Sequence, residues 1–352
     1  MPRVSAIVVS FNSRAYLERC LGSVLGAVDD VVVVDSASSD GSGELVRERF
    51  PSVRIIELQE NRGFGAAMNV GVEATDGDYL LLLNPDAWAT DGAVATLVEC
   101  AEGDVLAGIV GPRLSNPDGT LQRSVRGYPT PWRLATEYFF LRWLAPRSRL
   151  FNSFYGAGFD HGSTANVEFL VGAALLVRRS AFDEIGGFDP DFFMFNEEVD
   201  LSYRMKHAGR RILFCPEAEF AHVGGASTTP VWDSMYREQL RSHLRFLNKH
   251  HDQVVAERMR KVLVWAMRLR ALVFRGERRR LSRATARWLA SAPASVLIAE
   301  VRSTSTGGPP GADDQCAPRP PRQAVPLEPD GAEEREGDER VQGGAPGGHA
   351  LP

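Results

Sequence analysis

Cysteine is scarce in this chain. The four thiols, Cys20, Cys100, Cys215 and Cys316, are scattered and lack metal-ligand spacing, which favours reduced thiols in the cytoplasm. Long apolar runs are missing as well. Stretches such as Phe169 to Val177 are too short to span a bilayer, and no charged region followed by a long apolar stretch opens the chain. Excess charge is also absent from the body. The formal net charge is −5 over 352 residues, and from Ser303 onward nine acids against four bases already give −5. The sign of the whole therefore says little about partners, and no nucleic acid is expected among them. Residues 303–352 are rich in Gly, Pro and charge without apolar periodicity, so they cannot bury enough surface to offset chain entropy and are expected to be disordered. Two phosphate-binding signatures are missing too. Met68 stands where the third glycine of a dinucleotide fingerprint would fall after Asn61 to Gly65, and no Gly-rich loop bearing Arg and Lys follows the first strand. These absences weigh against a dinucleotide-dependent oxidoreductase and a sugar nucleotidyltransferase.

What is present is a series of buried strands ending in polar residues. Tyr79 to Leu83 is a short continuous apolar run bounded by Asp76-Gly77-Asp78 and Pro85, which reads as a strand buried on both faces. Val31 to Val34 ends at Asp35 in the same way, and Ala6 to Val9 ends at Ser10-Phe11-Asn12. Between them, Tyr16, Leu17, Cys20, Leu21, Val24 and Leu25 follow one helix face, with Asn12 or Ser13 as the cap. Val53 to Ile56 reads as a further strand, and Gly63 to Ala74 as a loop running into a helix. Alternating strands and helices predict a mostly parallel sheet with helices on both faces, whose ligands gather outside the carboxyl strand ends, where Asp35 and Asp86 should converge.

Seven short motifs carry a resemblance: Ile7 to Asn12, Val33-Val34-Asp35-Ser36, Asn61 to Gly65, Asn84-Pro85-Asp86, Gly186-Gly187-Phe188-Asp189, Asn196 to Asp200, and His222-Val223-Gly224-Gly225. In this order the first 225 or so residues resemble a family 2 glycosyltransferase of the GT-A fold, most similar to its rhamnosyltransferase-like branch. The expected layout is a GT-A domain over 1–230, with a nucleotide-binding half 1–110 and an acceptor and catalytic half 111–230, then a helical region 231–302 and the tail 303–352.

The resemblance implies roles that chemistry can check. Asp35 would accept hydrogen bonds from a base or ribose; a strand-end Asp that caps the next helix, together with Ser36 to Asp40, is the alternative. Ser10, Asn12, Asn61, Gly63 and Asn84 join it as nucleotide-sugar-binding residues, with a plain tight turn the alternative for Asn61 to Gly65. Asn84-Pro85-Asp86 resembles an Asp-x-Asp metal motif whose first acid is an amide. Asp86 would hold a divalent cation, Mn²⁺ or Mg²⁺, on the diphosphate, with His222 as a second ligand. Glu198 aligns with the catalytic base, and Glu197 and Asp200 support it by binding acceptor hydroxyls or orienting the site. The alternative is a solvated helix start, since acids are favoured in a first turn. Against that stands the apolar wall of Phe192 to Phe195, which raises a carboxyl pKa toward the range of a base.

The implied reaction is single displacement with inversion. The donor is a nucleoside-diphosphate sugar, dTDP-rhamnose first and UDP-sugars next, and the acceptor is a cell-envelope glycan or lipid-linked glycan. A catalytically silent sugar-binding or scaffold subunit is the alternative from another class. Beyond Ala226, Ser234 to Lys249 forms one helical pattern. Val255, Met259, Val262, Leu263, Ala266, Leu269 and Val273 mark an apolar face on the next, with arginines away from it. A basic amphipathic segment over 253–290 suits an anionic membrane surface, and peripheral attachment at the inner face of the plasma membrane is expected from it. The other reading is a helix packed on the catalytic domain with its basic side in water. The stretch Leu114 to Val167 offers aromatic residues broken by prolines, and no acceptor residue is assigned there.

Overall fold

A computed structural model of the chain describes residues 2–224 and 232–299. The expected tail 303–352, the boundaries at 230 and 302, Gly225 and Cys316 lie outside the described residues. The first half runs β1 (Val4–Ser10), α1 (Arg14–Val24), β2 (Asp30–Asp35), α2 (Ser42–Arg49), β3 (Arg54–Glu57), α3 (Phe64–Glu73), β4 (Tyr79–Leu83), β5 (Ala87–Ala89), α4 (Ala93–Glu102) and β6 (Ala107–Ser115). Then come β7 (Leu121–Gln122), β8 (Val125–Arg126), α5 (Pro131–Tyr138), α6 (Leu141–Leu144), β9 (Ala165–Asn166), β10 (Phe169–Leu170), β11 (Ala174–Arg178), α7 (Arg179–Glu184), α8 (Glu197–His207) and β12 (Arg211–His222). Four helices close the described chain: α9 (Trp232–His250), α10 (Gln253–Val273), α11 (Gly276–Ser291) and α12 (Ala294–Ala299).

The sheet runs in the order β3-β2-β1-β4-β11-β6-β12-β5. Pairs β1–β2, β1–β4, β2–β3 and β6–β12 are parallel, whereas β11 runs against β4 and β6, and β5 against β12. The sheet is therefore mixed and mostly parallel, as expected. Alternation along the strands sends each side chain set to its own layer. Tyr79, Leu81 and Leu83 pack with Leu17 and Leu21 of α1 and Leu97 of α4, while Leu80 and Leu82 pack with Met68 of α3, Phe188 and Leu201 of α8. Both faces are covered, which is why these strands read as unbroken apolar runs.

The cap of α1 differs in detail from expectation. Ser13 occupies the cap position, but its hydroxyl makes no capping bond and instead accepts from the Phe11 N–H at 3.1 Å. The C-terminal helices form a third layer, in which Leu240, Leu244 and Leu247 of α9 pack with Leu134 and Tyr138 of α5 and with Met259 and Leu263 of α10. Met259, Leu263 and Ala266 of the expected α10 face are buried there, Val255 and Val262 are partly buried, and Leu269 and Val273 are exposed. Most of that face is therefore used in packing on the domain. Among the described residues no helix is long and apolar enough to cross a membrane, and Cys20, Cys100 and Cys215 are free thiols.

Candidate active site

Ser10, Asp35 and Asn84 come together at the carboxyl ends of β1, β2 and β4. Ser10 lies opposite Asp35 in the ladder, and Val8 opposite Leu83 on the other side. Asp35 uses Oδ1 to accept from the Ser38 N–H at 2.8 Å, so the turn-capping role is real. Its Oδ2 is buried without a partner, as are the hydroxyls of Ser10 and Ser36. An unpaired buried polar atom costs about 1–3 kcal/mol. Three of them at the carboxyl ends of two neighbouring strands leave donors and acceptors that a polar ligand could satisfy. Asn12 is occupied otherwise: its Oδ1 accepts from the Ser39 N–H at 2.9 Å, which holds the 38–39 loop over the strand end.

The Asp86–His222 pair is set by the far edge of the sheet. His222 ends β12 opposite Ala87 of β5, so the residue just before β5 meets the imidazole, with Asp86 Oδ1 3.4 Å from His222 Nε2. Both side chains are buried. Gln122, in the stretch that resisted reading, fixes the ring. Its amide nitrogen donates to Asn116 Oδ1 at 3.0 Å and to the His222 carbonyl at 3.3 Å, leaving its Oε1 to accept from His222 Nδ1 at 2.8 Å. With Nδ1–H committed to Gln122, a neutral ring turns the Nε2 lone pair toward a carboxylate, an arrangement that a cation between them would stabilise. Burial works to raise the Asp86 carboxyl, but its hydrogen bond and electrostatic interaction with His222 outweigh it and hold the carboxyl below its usual range. Asn84 adds an amide nitrogen 3.4 Å from Nε2. One carboxylate and one oriented imidazole fit a divalent ion that takes its remaining ligands from diphosphate and water. Among the described residues no group of three acidic, His or Cys side chains gathers into a self-sufficient metal site.

Two short backbone bridges bring the second acidic cluster to this edge. The Asn84 N–H donates to the Ala173 carbonyl at 2.9 Å, and the neighbouring Gly172 abuts Glu198: a β-carbon there would stand 3.3 Å from Glu198 Cβ. From the other side, the Phe64 N–H donates to the Phe193 carbonyl at 2.9 Å. Gly63 has φ +89°, and a β-carbon on it would lie 2.2 Å from that same carbonyl oxygen. The glycine is thus required where the loop presses on the chain leading to the acids, and Asn61 Oδ1 accepts from its N–H at 2.9 Å, as a tight turn would have it.

Glu197 and Glu198 open α8 after two left-handed residues, Phe195 and Asn196. Glu197 is buried beside Gly65, whereas Glu198 is partly exposed. Burial pushes both carboxyls above the usual range; the neighbouring Glu198 charge adds to the rise at Glu197, and Arg126 of β8 opposes it at Glu198. Each keeps one carboxyl oxygen unpartnered. Of the two, Glu198 is the more exposed.

Asp200 is fully buried and bound on several sides, by Arg204 Nε at 2.8 Å, His250 Nε2 at 2.7 Å and Lys249 Nζ at 2.7 Å. Arg204 also donates to the carbonyls of Ile185 and Gly187. Of its two expected supporting roles, orienting the site is the one these contacts serve. Sequence reasoning missed Arg126 and Gln122, and also the underside of the cluster. There His243 of α9 lies 2.8 Å from the Asn196 amide, with its imidazole pushed down to about 3 by burial, and Ser242 donates to the Met194 carbonyl at 2.9 Å.

Comparison with known proteins identifies the family. The family model described as glycosyl transferase family 2 matches residues 5–186. An N-acetylglucosaminyl-diphospho-decaprenol L-rhamnosyltransferase of Mycobacterium tuberculosis is 32% identical over 236 residues, covering 63% of this chain and 76% of that protein. Among solved structures, the mannosyltransferase PcManGT of Pyrobaculum calidifontis, in complex with GDP-Man and Mn²⁺, aligns with TM-score 0.49 and 19% identity over 85% of this chain and 79% of that one. GalNAc-T7 with UDP, GalNAc and Mn²⁺ aligns with TM-score 0.49 and 17% identity over 68% of this chain, which spans 48% of that protein. The matched residues take in the strand-end aspartate and the Asn84-Pro85-Asp86 edge, and the aligned relative reaches well beyond them: this chain belongs to glycosyl transferase family 2 and is a rhamnosyltransferase-like glycosyltransferase.

Proposed function

We propose that the enzyme transfers a sugar, L-rhamnose by preference, from a nucleoside diphosphate to a hydroxyl of a lipid-linked or cell-envelope glycan, with inversion at the anomeric carbon. The observation that carries this reading is the Gly172-Ala173 bridge, which joins Asn84, two residues from Asp86, to Glu198 on one edge of the sheet. On one side of that bridge, Asp35 Oδ2 and the Ser10 and Ser36 hydroxyls receive the nucleoside. On the other, Glu198 takes the proton of the acceptor hydroxyl as its oxygen attacks the anomeric carbon. Burial raises the Glu198 carboxyl above its ordinary value, the direction a general base needs, and positioned general bases supply about 10²- to 10⁴-fold. Glu197, buried behind it, resists charging and so keeps the second negative charge away from the reacting centre.

Asp86 and His222 are the residues that would hold Mn²⁺ or Mg²⁺. When bound, the ion supplies charge stabilisation for the departing diphosphate. Asn84, being neutral, leaves the bare site weak, so ion and nucleotide are expected to bind together. The lean toward rhamnose follows the name of the mycobacterial relative. It is tested by thermal shift with UDP, dTDP and GDP in the presence of Mn²⁺, followed by the matching sugar nucleotides. The largest shift is expected with dTDP and dTDP-rhamnose; equal shifts for the three nucleotides contradict the donor assignment.

A further inference from the structure

Twelve large apolar side chains are exposed among the described residues, and eight of them lie in two segments, 132–150 and 265–273. Trp132, Trp143 and Leu144 represent the first; Trp265, Leu269 and Leu272 the second. The segments adjoin. Arg270 of α10 donates to the carbonyls of Tyr138 at 2.9 Å and Glu137 at 3.0 Å, and the rings of Phe140 and Phe274 meet edge to face at 5.5 Å.

The helix itself is apolar on two sides. Leu263, Ala266 and Met267 bury one face of α10, while Trp265, Leu269, Leu272 and Val273 follow helical spacing on the opposite, exposed face. Clustered exposed apolar side chains on a folded protein mark a candidate interaction site. Its surroundings are predominantly basic. Arg147, Arg149, Arg268 and Arg275 are exposed, as is the Arg278-Arg279-Arg280 run, whereas residues 139–159 contain no acid and 265–287 contain only Glu277. A second copy of the chain meeting this face through a twofold axis would set arginine against arginine. An anionic bilayer surface complements both properties: tryptophan rings and leucines enter the interfacial layer while the guanidinium groups meet lipid phosphates.

We propose that the surface made by α5, α6 and the outer face of α10 docks this enzyme on an anionic membrane. This deepens the lipid-linked-acceptor reading, because the patch is continuous with the Glu198 side of the site. Arg142 lies over Trp143 and Tyr155, Arg126 lies over the same Tyr155 ring at 4.8 Å, and β8, which carries Arg126, pairs with β10 just ahead of the Gly172 contact. A lipid-anchored acceptor entering from the docked face would reach Glu198 along that line.

Co-sedimentation of the full chain with vesicles of phosphatidylcholine, alone or mixed with phosphatidylglycerol, tests this. Wild type is expected to bind the mixed vesicles and only weakly the zwitterionic ones. The pair Trp143→Ser with Leu144→Ser, and separately Leu272→Ser with Val273→Ser, should each lower binding roughly tenfold or more. Replacing Arg278, Arg279 and Arg280 by Gln should lower binding to anionic vesicles about a hundredfold at low salt, at roughly fivefold per charge. All are surface changes, so thermal unfolding serves as the folding control. Absence of wild-type binding to anionic vesicles, apolar variants that bind like wild type, or a wild-type dimer that the Trp143 pair dissociates in sedimentation velocity would each overturn the proposal. Transfer to a water-soluble acceptor analogue should be unchanged in these variants, and its absence in wild type would count against the transfer reading rather than the docking surface.

Discussion

Gly172→Ala isolates the position of the proposed base, Glu198, from its chemistry. The added methyl would stand 3.3 Å from Cβ and 3.5 Å from Cγ of Glu198. Carbon pairs settle at about 3.5–4.0 Å, so one of the two must retreat by a few tenths of an ångström. The backbone does not resist the substitution, because Gly172 is not among the residues with positive φ. Loss of glycine freedom in the unfolded chain favours the variant by about 0.4–1 kcal/mol, which roughly offsets the tight contact and keeps the net change within about 1 kcal/mol. Turnover is less forgiving. A misplacement of about 1 Å in a reacting group costs about 10²-fold, so a retreat of a few tenths of an ångström should lower kcat roughly two- to sixfold. Steady-state transfer with saturating donor and acceptor measures it, with calorimetric nucleotide affinity expected to match wild type. Wild-type kcat in a folded Gly172→Ala enzyme would show that the Glu198 carboxylate can move without consequence, and the reasoning that makes it the base would fail.

Asp86→Ala is expected to abolish the metal-dependent part of nucleoside-diphosphate binding; titration calorimetry with and without Mn²⁺ should give the same affinity in the variant and different affinities in wild type. Glu197→Gln should stabilise the fold in a pH-dependent way. The Glu197 carboxyl is raised in the folded state by burial and by Glu198, so the stability of wild type is full below the ordinary carboxylate pKa and is lost as pH rises toward the folded value, a loss the neutral amide avoids. The difference in Tm between the variant and wild type should therefore widen from about pH 5 to about pH 8, and a constant difference would contradict the burial argument. Gly63→Ala meets the Phe193 carbonyl at 2.2 Å in a left-handed conformation, and should destabilise by at least about 1–3 kcal/mol in urea unfolding.

The parts of the fold legible in the sequence are those where one physical rule acts alone. Tyr79 to Leu83 reads as a buried strand because both of its faces are covered, and Asp35 and Asp86 follow at strand ends because polar residues collect where a parallel sheet meets its ligand. Asp200 is legible only as part of an acidic cluster, since its partners Lys249 and His250 are supplied by α9, far away in sequence. Gly63 shows the opposite error of emphasis: its position was noticed, but the reason for a glycine there is a backbone contact with Phe193, which no local pattern reveals. For α10 the sequence leaves both readings open because the helix is apolar on two faces, and periodicity cannot tell which of them meets the domain. Gln122 and Arg126 sit on two-residue strands in the 114–167 stretch, too short for any periodic signal, and their importance appears only when β7 and β8 bring them beside His222 and Glu198.

The most direct test is the pH–rate profile of Glu198→Gln against wild type under saturating donor and acceptor. The raised carboxyl predicts a wild-type rate that climbs with pH along a limb lying above the usual carboxylate range. The variant should lose that limb and fall about 10²- to 10⁴-fold while binding nucleotide as tightly as before. A Gln variant that retains near-normal turnover and the same limb would remove Glu198 from the reaction.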